Sequence, residues 1–96
     1  MEIKREIRVA VNTGKVDFGL KEAYKNLEDD DCDLLIVASN CPDDQMKEND
    51  EFEGVSIYHF EGNNQVLGSA AGKPFAISIM SILDSGESNI LSLKAE

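Results

Sequence analysis

The chain has 96 residues, 42% of them hydrophobic and 29% charged, which predicts one globular domain over residues 1–96 and excludes a disordered chain. No run approaches the roughly 18 apolar residues of a membrane span, and the N-terminal residues do not resemble a signal peptide, so we expect a cytoplasmic protein away from membranes. The net charge of −10 argues at first sight against a nucleic-acid partner, because cations supply most of the affinity for phosphates.

The first part of the chain predicts two helices and a buried strand. Apolar residues at helical spacing predict a helix over about residues 3–13, which Gly14 can end. Residues 15–18 form a short extended segment, and an apolar stripe predicts a second helix over about residues 19–28. The continuous apolar run 34–38 is typical of a strand covered on both faces, so we expect it at the centre of a sheet.

The middle of the chain has weaker patterns. Pro42 suits the first turn of a third helix that extends to about residue 53, although its apolar periodicity is poor. Residues 55–60 predict a short strand, because β-branched and aromatic side chains dominate there. Residues 62–64 predict a turn and a helix N-cap, and the fourth helix that follows ends at Gly72.

The last part of the chain predicts one more strand and a final helix. Pro74 bars continuation of the fourth helix, and residues 75–83 predict a second long, buried strand. Asp84 and Glu87 have the spacing of a capping box, which predicts a helix that includes Ile90. Helices and strands therefore alternate along the chain, an order that calls for a central sheet with helices on both faces.

The acidic excess is confined to the middle third. Residues 1–28 hold six cations and five anions, residues 29–61 hold one cation and eleven anions, and residues 62–96 hold two cations and three anions. A chain divided in this way can present a neutral or mildly basic face to RNA while an acidic face points elsewhere. The net charge therefore does not exclude RNA.

Two polar residues occupy positions that suit RNA. Lys21 lies in the first turn of the second helix, where the helix dipole disfavours a cation by about 0.3–1 kcal/mol, but where phosphate oxygens or guanine O6 and N7 could bind. The alternative is a solvated lysine balanced by Glu22. Asn40 follows the central strand, where open α/β sheets place binding residues, and its amide can both donate to and accept from a base edge. The alternative is a simple turn residue.

The loop Lys73-Pro74-Phe75 is a third candidate. Its aromatic ring could pack against an unstacked base. The alternative makes Phe75 the first core residue of the strand that follows.

Other reactive residues predict no cofactor. The spacing of Cys32 and Cys41 matches neither a zinc knuckle nor a redox C-x-x-C motif, so we expect two reduced thiols. His59 is the only histidine, which excludes a histidine-based metal cluster and favours a packed or surface side chain. The alternating aspartates at 29–33 lack the glycine and glutamate that a calcium-binding EF-hand needs at later positions.

Six ordered segments carry a family resemblance: TGK at 13–15, FGLK at 18–21, LIVASN at 35–40, GNN at 62–64, LGSAAGK at 67–73 and SILDSGESNIL at 81–91. Together they resemble the ribosomal protein L-thirty-e family of archaeal and eukaryotic large-subunit proteins, over nearly the whole chain. The resemblance implies a three-layer α/β/α sandwich with a four-stranded mixed sheet. It also implies binding to a kink-turn, a sharply bent RNA element, and no enzymatic activity.

The resemblance assigns RNA-binding roles to the start of the second helix, the end of the central strand and the loop before the last strand. The residues are Phe18, Gly19, Lys21, Asn40, Lys73, Pro74, Phe75 and Ile77. In the family, the glycine and lysine contact the bent RNA, the asparagine contacts a guanine in the kink, and the apolar loop packs on a flipped-out base.

The chain also departs from the family pattern. The segment after Asn40 is about three residues shorter than in relatives, so the third helix is expected to lose nearly a turn. Gln45 and Ala76 replace residues that are basic in some members, and the neighbouring Asp43-Asp44 would repel RNA. We therefore expect lower affinity, or affinity that depends on salt to screen the acidic face.

The leading hypothesis is a structural protein of the large ribosomal subunit that binds a kink-turn of rRNA beside neighbouring ribosomal proteins and is monomeric off the ribosome. A second hypothesis is a regulator that binds a similar kink in its own messenger. A third, motivated by the charge of −10, is an acidic paralogue that acts through a protein partner.

Overall fold

The computed structural model describes residues 2–93, so the predicted domain over 1–96 extends beyond the described residues by one residue at one end and three at the other. The helices are α1 (Ile3–Thr13), α2 (Leu20–Glu28), α3 (Asp44–Glu48), α4 (Asn64–Ala70) and a 3₁₀ helix (Ile90–Leu93). The strands are β1 (Lys15–Phe18), β2 (Leu34–Val37), β3 (Glu51–Phe52), β4 (Val55–His59) and β5 (Ile79–Asp84). No helix within residues 2–93 is long and apolar enough to cross a bilayer.

The strands form one mixed sheet in the order β1-β5-β2-β4-β3. Strand β2 lies at its centre, as its continuous apolar run predicts. It pairs in parallel with β4 and antiparallel with β5, and β5 pairs antiparallel with β1. Val37 of β2 therefore lies between His59 and Ile79, while Phe18 of β1 pairs with Met80. The last residues of β1, β2 and β4 and the first residues of β5 meet at one end of the sheet, which we call the site end.

Helices cover both faces of the sheet, which confirms the predicted α/β/α sandwich. Leu34 and Ile36 point into a core formed with α1, α4 and the 3₁₀ helix. Leu35 and Val37 alternate with them and point into a second core formed with α2 and α3. Both cores are apolar, so the four consecutive apolar residues of β2 can be buried alternately on the two faces of the sheet.

The sheet has five strands rather than four. The predicted third helix is wrong after residue 48: α3 ends at Glu48, and Asn49 already has extended φ and ψ of −112° and 151°. Phe52 then pairs with Val55 across a two-residue turn, Glu53-Gly54, in which both residues have positive φ, 51° and 83°. A pair of left-handed residues is the backbone of a type I′ hairpin, and it adds the two-residue strand β3 to the sheet.

The last strand and last helix also differ from the sequence prediction. Strand β5 begins at Ile79, because residues 75–78 form a loop that packs against α4 instead of extending the ladder. Asp84 is the final residue of β5, and its carboxylate accepts a hydrogen bond from the Gly86 N–H at 2.8 Å. It is therefore not the N-cap of a final α-helix, and only a 3₁₀ helix follows.

Candidate nucleic-acid interface

The predicted RNA-binding residues lie in three loops at the site end. Phe18 ends β1 and Gly19 precedes α2, Asn40 follows β2 by three residues, and residues 73–77 precede β5. Since β5 lies between β1 and β2 in the sheet, the loop before β5 lies between the other two. The topology thus brings together residues that are as much as 59 positions apart in the sequence.

Gly19 sets the direction in which α2 begins. Its φ and ψ are 101° and 157°, a backbone conformation that residues with a side chain rarely adopt. A Cβ added there would nevertheless meet nothing within 4 Å. Its N–H donates to the Ile79 carbonyl at 3.0 Å, which ties the start of α2 to the start of β5. No side chain caps α2, and Lys21 is exposed in its first turn. The open N–H groups, the helix dipole and this lysine together form a place for an anion or a hydrogen-bond acceptor.

An aromatic pair lies next to this helix start. The rings of Phe18 and Phe75 meet edge to face, with centroids 6.3 Å apart and planes at 77°. The Lys73 ammonium lies over the Phe18 ring, with Nζ 5.6 Å from the centroid. Phe75 is 53% exposed, so it is not the first core residue of the strand. Its ring is a large apolar surface available to a partner.

Two further loop residues that were predicted to contact RNA, Pro74 and Ile77, differ from each other in exposure. Pro74 is exposed, whereas Ile77 is only 2% exposed and belongs to the core shared with α1 and α4. The Ile77 N–H donates to the Asn64 carbonyl at 3.0 Å. Ile77 therefore anchors the loop from below, and its side chain is not on the surface with the other predicted contact residues.

Asn40 is held by the first residue of α4. Its Oδ1 accepts a hydrogen bond from the Asn64 backbone N–H at 2.8 Å, and its Nδ2 donates to Asn64 Oδ1 at 3.2 Å. One N–H and one lone pair of the exposed Asn40 amide remain for a ligand. Asn64 was not among the residues predicted for this site from the sequence. The signal was present in the GNN turn, where the second of two asparagines occupies the first helical position.

The loop before β5 lies directly on the backbone of α4. A Cβ on Gly68 would overlap the carbonyl oxygen of Phe75, so only glycine permits this approach. The Lys73 N–H donates to the Gly68 carbonyl at 3.0 Å, and Gly72 between them has a φ of 76°. Gly68 is thus a second residue of the site that was not predicted from the sequence, because its contact with Phe75 arises only from the packing of the loop on α4.

The acidic residues after Asn40 are partly engaged with the protein. Asp43 caps α3 by accepting a hydrogen bond from the Met46 N–H at 3.1 Å, and it also accepts one from the Tyr24 hydroxyl. The bond from Tyr24 lowers the pKa of Asp43, and the same bond, followed by burial, raises the pKa of Tyr24 to about 12. Asp43 is therefore a carboxylate at neutral pH, with its oxygens turned toward protein donors.

The two cysteines, Cys32 and Cys41, are buried in the core, and the histidine contacts neighbouring protein groups. The Cys32 thiol donates to the Leu34 carbonyl at 3.3 Å, and burial raises the pKa of the Cys41 thiol. His59 Nε2 lies 2.9 Å from the Asn49 carbonyl and 3.3 Å from Asp50 Oδ1. Within residues 2–93, no three His, Cys, Asp or Glu side chains are placed to hold a metal ion.

The sequence is similar to those of known ribosomal proteins. The profile of the ribosomal protein L7Ae/L30e/S12e/Gadd45 family matches residues 1–92. Large ribosomal subunit protein eL30 of Methanoregula boonei is 36% identical over 94 residues, covering 98% of this chain and 97% of that protein. The eL30 proteins of Methanosphaera stadtmanae and Methanothermobacter thermautotrophicus are each 40% identical over 97 residues, and they cover 98% and 97% of this chain and 99% and 98% of their own lengths.

Proposed function

This chain belongs to the ribosomal protein L7Ae/L30e/S12e/Gadd45 family, and from that membership we propose that it is a structural protein of the large ribosomal subunit that binds and stabilises a kink-turn in rRNA. It is not an enzyme, since the relatives that it matches are named as constituents of the ribosome. Its place is the cytoplasmic ribosome, among neighbouring ribosomal proteins, and off the ribosome it is a monomer.

The observation that carries this proposal is the arrangement of three different binding groups at the site end. An uncapped helix start with Lys21, an exposed amide on Asn40 and the exposed ring of Phe75 lie in adjacent loops. Each group suits a different part of an RNA. Lys21 and the α2 N–H groups suit phosphate oxygens or guanine O6 and N7, Asn40 suits a guanine edge, and Phe75 suits a base face.

These three groups favour a bent RNA over a straight one. In a regular A-form duplex the bases are stacked inside, and the deep, narrow major groove does not admit side chains. A ring such as that of Phe75 therefore has a base to pack against only where a base is unstacked. A kink exposes such a base together with the guanine edges that Asn40 and Lys21 would contact. We assign Lys73, whose ammonium lies over the Phe18 ring, and the exposed Pro74 to the same base-binding surface as Phe75.

The test is the affinity of the purified protein for a kink-turn RNA and for a straight duplex of equal length, measured across a salt series. Specific protein–nucleic acid complexes are typically about 10³- to 10⁷-fold tighter than non-specific ones, as established for DNA, so a clear preference for the kink is expected. Lys21→Ala and Phe75→Ala should each reduce that preference. Equal, weak binding of the wild type to both RNAs would refute the proposal and favour a protein partner for the acidic face.

A further inference from the structure

A second surface extends from the site end along the opposite layer of the fold. A groove of about 570 Å³ lies between α1 and α4, and it is lined by Lys4, Arg5, Arg8, Val9, Gln65, Val66, Ser69 and Ala70. We call it the α1/α4 groove. The exposed α1 side contributes three cations within five residues, and the floor is apolar. Such a concentration of positive charge contrasts with a chain that carries nineteen acidic residues.

The cations of the groove are available to a ligand. None of Lys4, Arg5 and Arg8 forms an ion pair with an acidic residue in the part of the chain that the structure describes, where the one salt bridge is between His59 and Asp50. The acidic residue within the same stretch of α1, Glu6, is half-buried, and its Oε1 accepts a hydrogen bond from the Asn89 N–H at 3.0 Å. That bond holds the carboxylate on the 3₁₀-helix side of α1.

The groove is continuous with the proposed RNA site. Gln65 and Ser69 also line a smaller depression of about 350 Å³ that is completed by Lys73, Pro74, Phe75 and Ala76. The two surfaces therefore share one wall of α4. Arg8 connects them a second time, because its guanidinium packs against Gly72 in the turn that leads to the loop.

We propose that the α1/α4 groove binds the phosphodiester backbone of the RNA that flanks the bent element, where this RNA leaves the Phe75 loop. The inference rests on the proposed function. The cations neutralise phosphates on one wall, Gln65 and Ser69 offer hydrogen bonds on the other, and the apolar floor formed by Val9, Val66 and Ala70 accepts a ribose face. Phosphate contacts carry no sequence information, so this groove adds affinity and orientation while the site end provides selectivity.

The experiment compares two RNAs and two double variants. One RNA ends at the kink, and the other extends its flanking helices by one helical turn. Lys4→Gln/Arg5→Gln removes two groove cations and keeps Arg8, which supports the loop. Lys15→Gln/Lys25→Gln removes two exposed lysines from β1 and α2 and changes the net charge equally. On the extended RNA, log affinity should fall less steeply with log salt for the groove variant than for the wild type. The magnitude of the slope should decrease by about 1 to 2, since each lost phosphate contact decreases it by about 0.7–0.9. On the short RNA it should match the control variant.

A proximity measurement provides an independent readout. An iron chelate attached at Ser69→Cys should cleave the flanking helix of the extended RNA, whereas one attached at Glu28→Cys in α2 should not, and the two natural cysteines are buried. If the wild type prefers the kink but the groove and control variants have equal salt slopes on the extended RNA, the groove inference is wrong and the proposed function stands. If flanking cleavage from position 69 is absent, the groove faces a protein partner instead. Loss of kink preference in the wild type would overturn the proposed function itself.

Discussion

The side chain of Asn40 forms two hydrogen bonds with Asn64, one to its backbone N–H and one to its side-chain oxygen, and so caps α4 from outside the helix. Asn40 thus has a structural role in addition to its proposed contact with RNA. The Asn64 carbonyl in turn accepts a hydrogen bond from the Ile77 N–H. The end of β2, the start of α4 and the loop before β5 are linked through this one pair of asparagines.

Asn40→Asp should separate the two roles of Asn40. The aspartate keeps an acceptor for the Asn64 N–H, and rotation of the Asn64 amide restores the second bond, so the free energy of unfolding should stay within about 0.5 kcal/mol of the wild type. RNA binding should fall steeply, because a donor is replaced by a negative charge. Urea unfolding and kink-turn titration check the two effects, and Asn40→Ala, which loses both bonds, should cost about 1 kcal/mol. Wild-type RNA affinity in the aspartate variant would show that Asn40 does not contact RNA.

Gly19→Ala should destabilise the fold by about 1–3 kcal/mol, because the alanine must adopt a φ of 101°. Space is not the obstacle, since nothing lies within 4 Å of the added Cβ. Gly54→Ala is a matched control, as Gly54 has a φ of 83° and equally open surroundings in the β3–β4 turn. Both variants should lose stability in urea, but only Gly19→Ala should also weaken RNA binding. Equal RNA affinity in the two variants would argue against a role for the α2 start.

Replacing Phe75 tests the proposed base contact with little effect on the core. Because the ring is 53% exposed, Phe75→Leu should change stability by less than about 1 kcal/mol. Affinity for kink-turn RNA should fall by about 1–3 kcal/mol, the usual contribution of stacking between a base and an aromatic ring. Phe75→Tyr retains the ring and should bind nearly as the wild type does. Tight binding by the leucine variant would mean that no base packs there.

Gly68→Ala should move the loop without replacing any proposed contact residue. The new Cβ would overlap the Phe75 carbonyl oxygen, and over-packing of this kind costs about 1–3 kcal/mol. We expect lower thermal stability and weaker RNA binding together, with the amide signals of Lys73 and of residues 75–77 shifted in NMR spectra. Ser69→Ala, one residue along α4 and exposed, should leave stability and those signals unchanged. A Gly68→Ala protein with unshifted loop signals would contradict the described packing.

The bond between Tyr24 and Asp43 predicts a pH dependence of stability. The pKa of Tyr24 is raised to about 12, so its stabilising contribution is complete below its ordinary pKa of 10.0 and is lost as pH rises toward 12. The pKa of Asp43 is lowered, so its contribution is present above 3.8 and is lost as pH falls through the lowered value.

The difference in unfolding free energy between the wild type and Tyr24→Phe measures this contribution directly. Because both groups are partly solvated, this difference should be only about 0.5–1 kcal/mol near neutrality. It should shrink at both extremes of pH, where one of the two groups has changed its protonation state. Denaturant titrations at a series of pH values check it. A difference that is constant from acid to strong alkali would show that the hydroxyl does not donate to Asp43 in solution.

The parts of the fold that were predictable from the sequence are those with strong local patterns. Helix α1 has its predicted limits, and β2 lies at the centre because four consecutive apolar residues can be buried only between two helical layers. The hairpin around Glu53-Gly54 was not predicted, because Glu-Gly is a weaker type I′ signal than Asn-Gly or Asp-Gly. The mostly apolar residues 75–78 resembled a strand, but they form a loop in which the Phe75 carbonyl packs against Gly68 and the Ile77 N–H donates to the Asn64 carbonyl.

The candidate site was predictable one residue at a time but not as an arrangement. Lys21 and Asn40 stood out through local chemistry, a cation at the wrong end of a helix and an amide at the end of a central strand. Asn64 contacts Asn40, which lies 24 residues earlier in the sequence. Ile77 is buried, although Phe75 in the same loop is exposed. Such relationships depend on strand order and on the packing of α4, which no local sequence pattern contains.

The two-residue strand β3 also determines how the protein behaves when many copies are present. A long, flat edge strand exposes unpaired N–H and C=O groups that can recruit strands from other molecules. Here one edge of the sheet is β3, with the exposed Glu51 and the left-handed Glu53 beside it, and the other is the four-residue β1, which begins with the exposed Lys15. Because both edge strands are short and carry charged residues, both edges of the sheet are poor sites for pairing with a strand of a second copy, and so for the formation of fibrils.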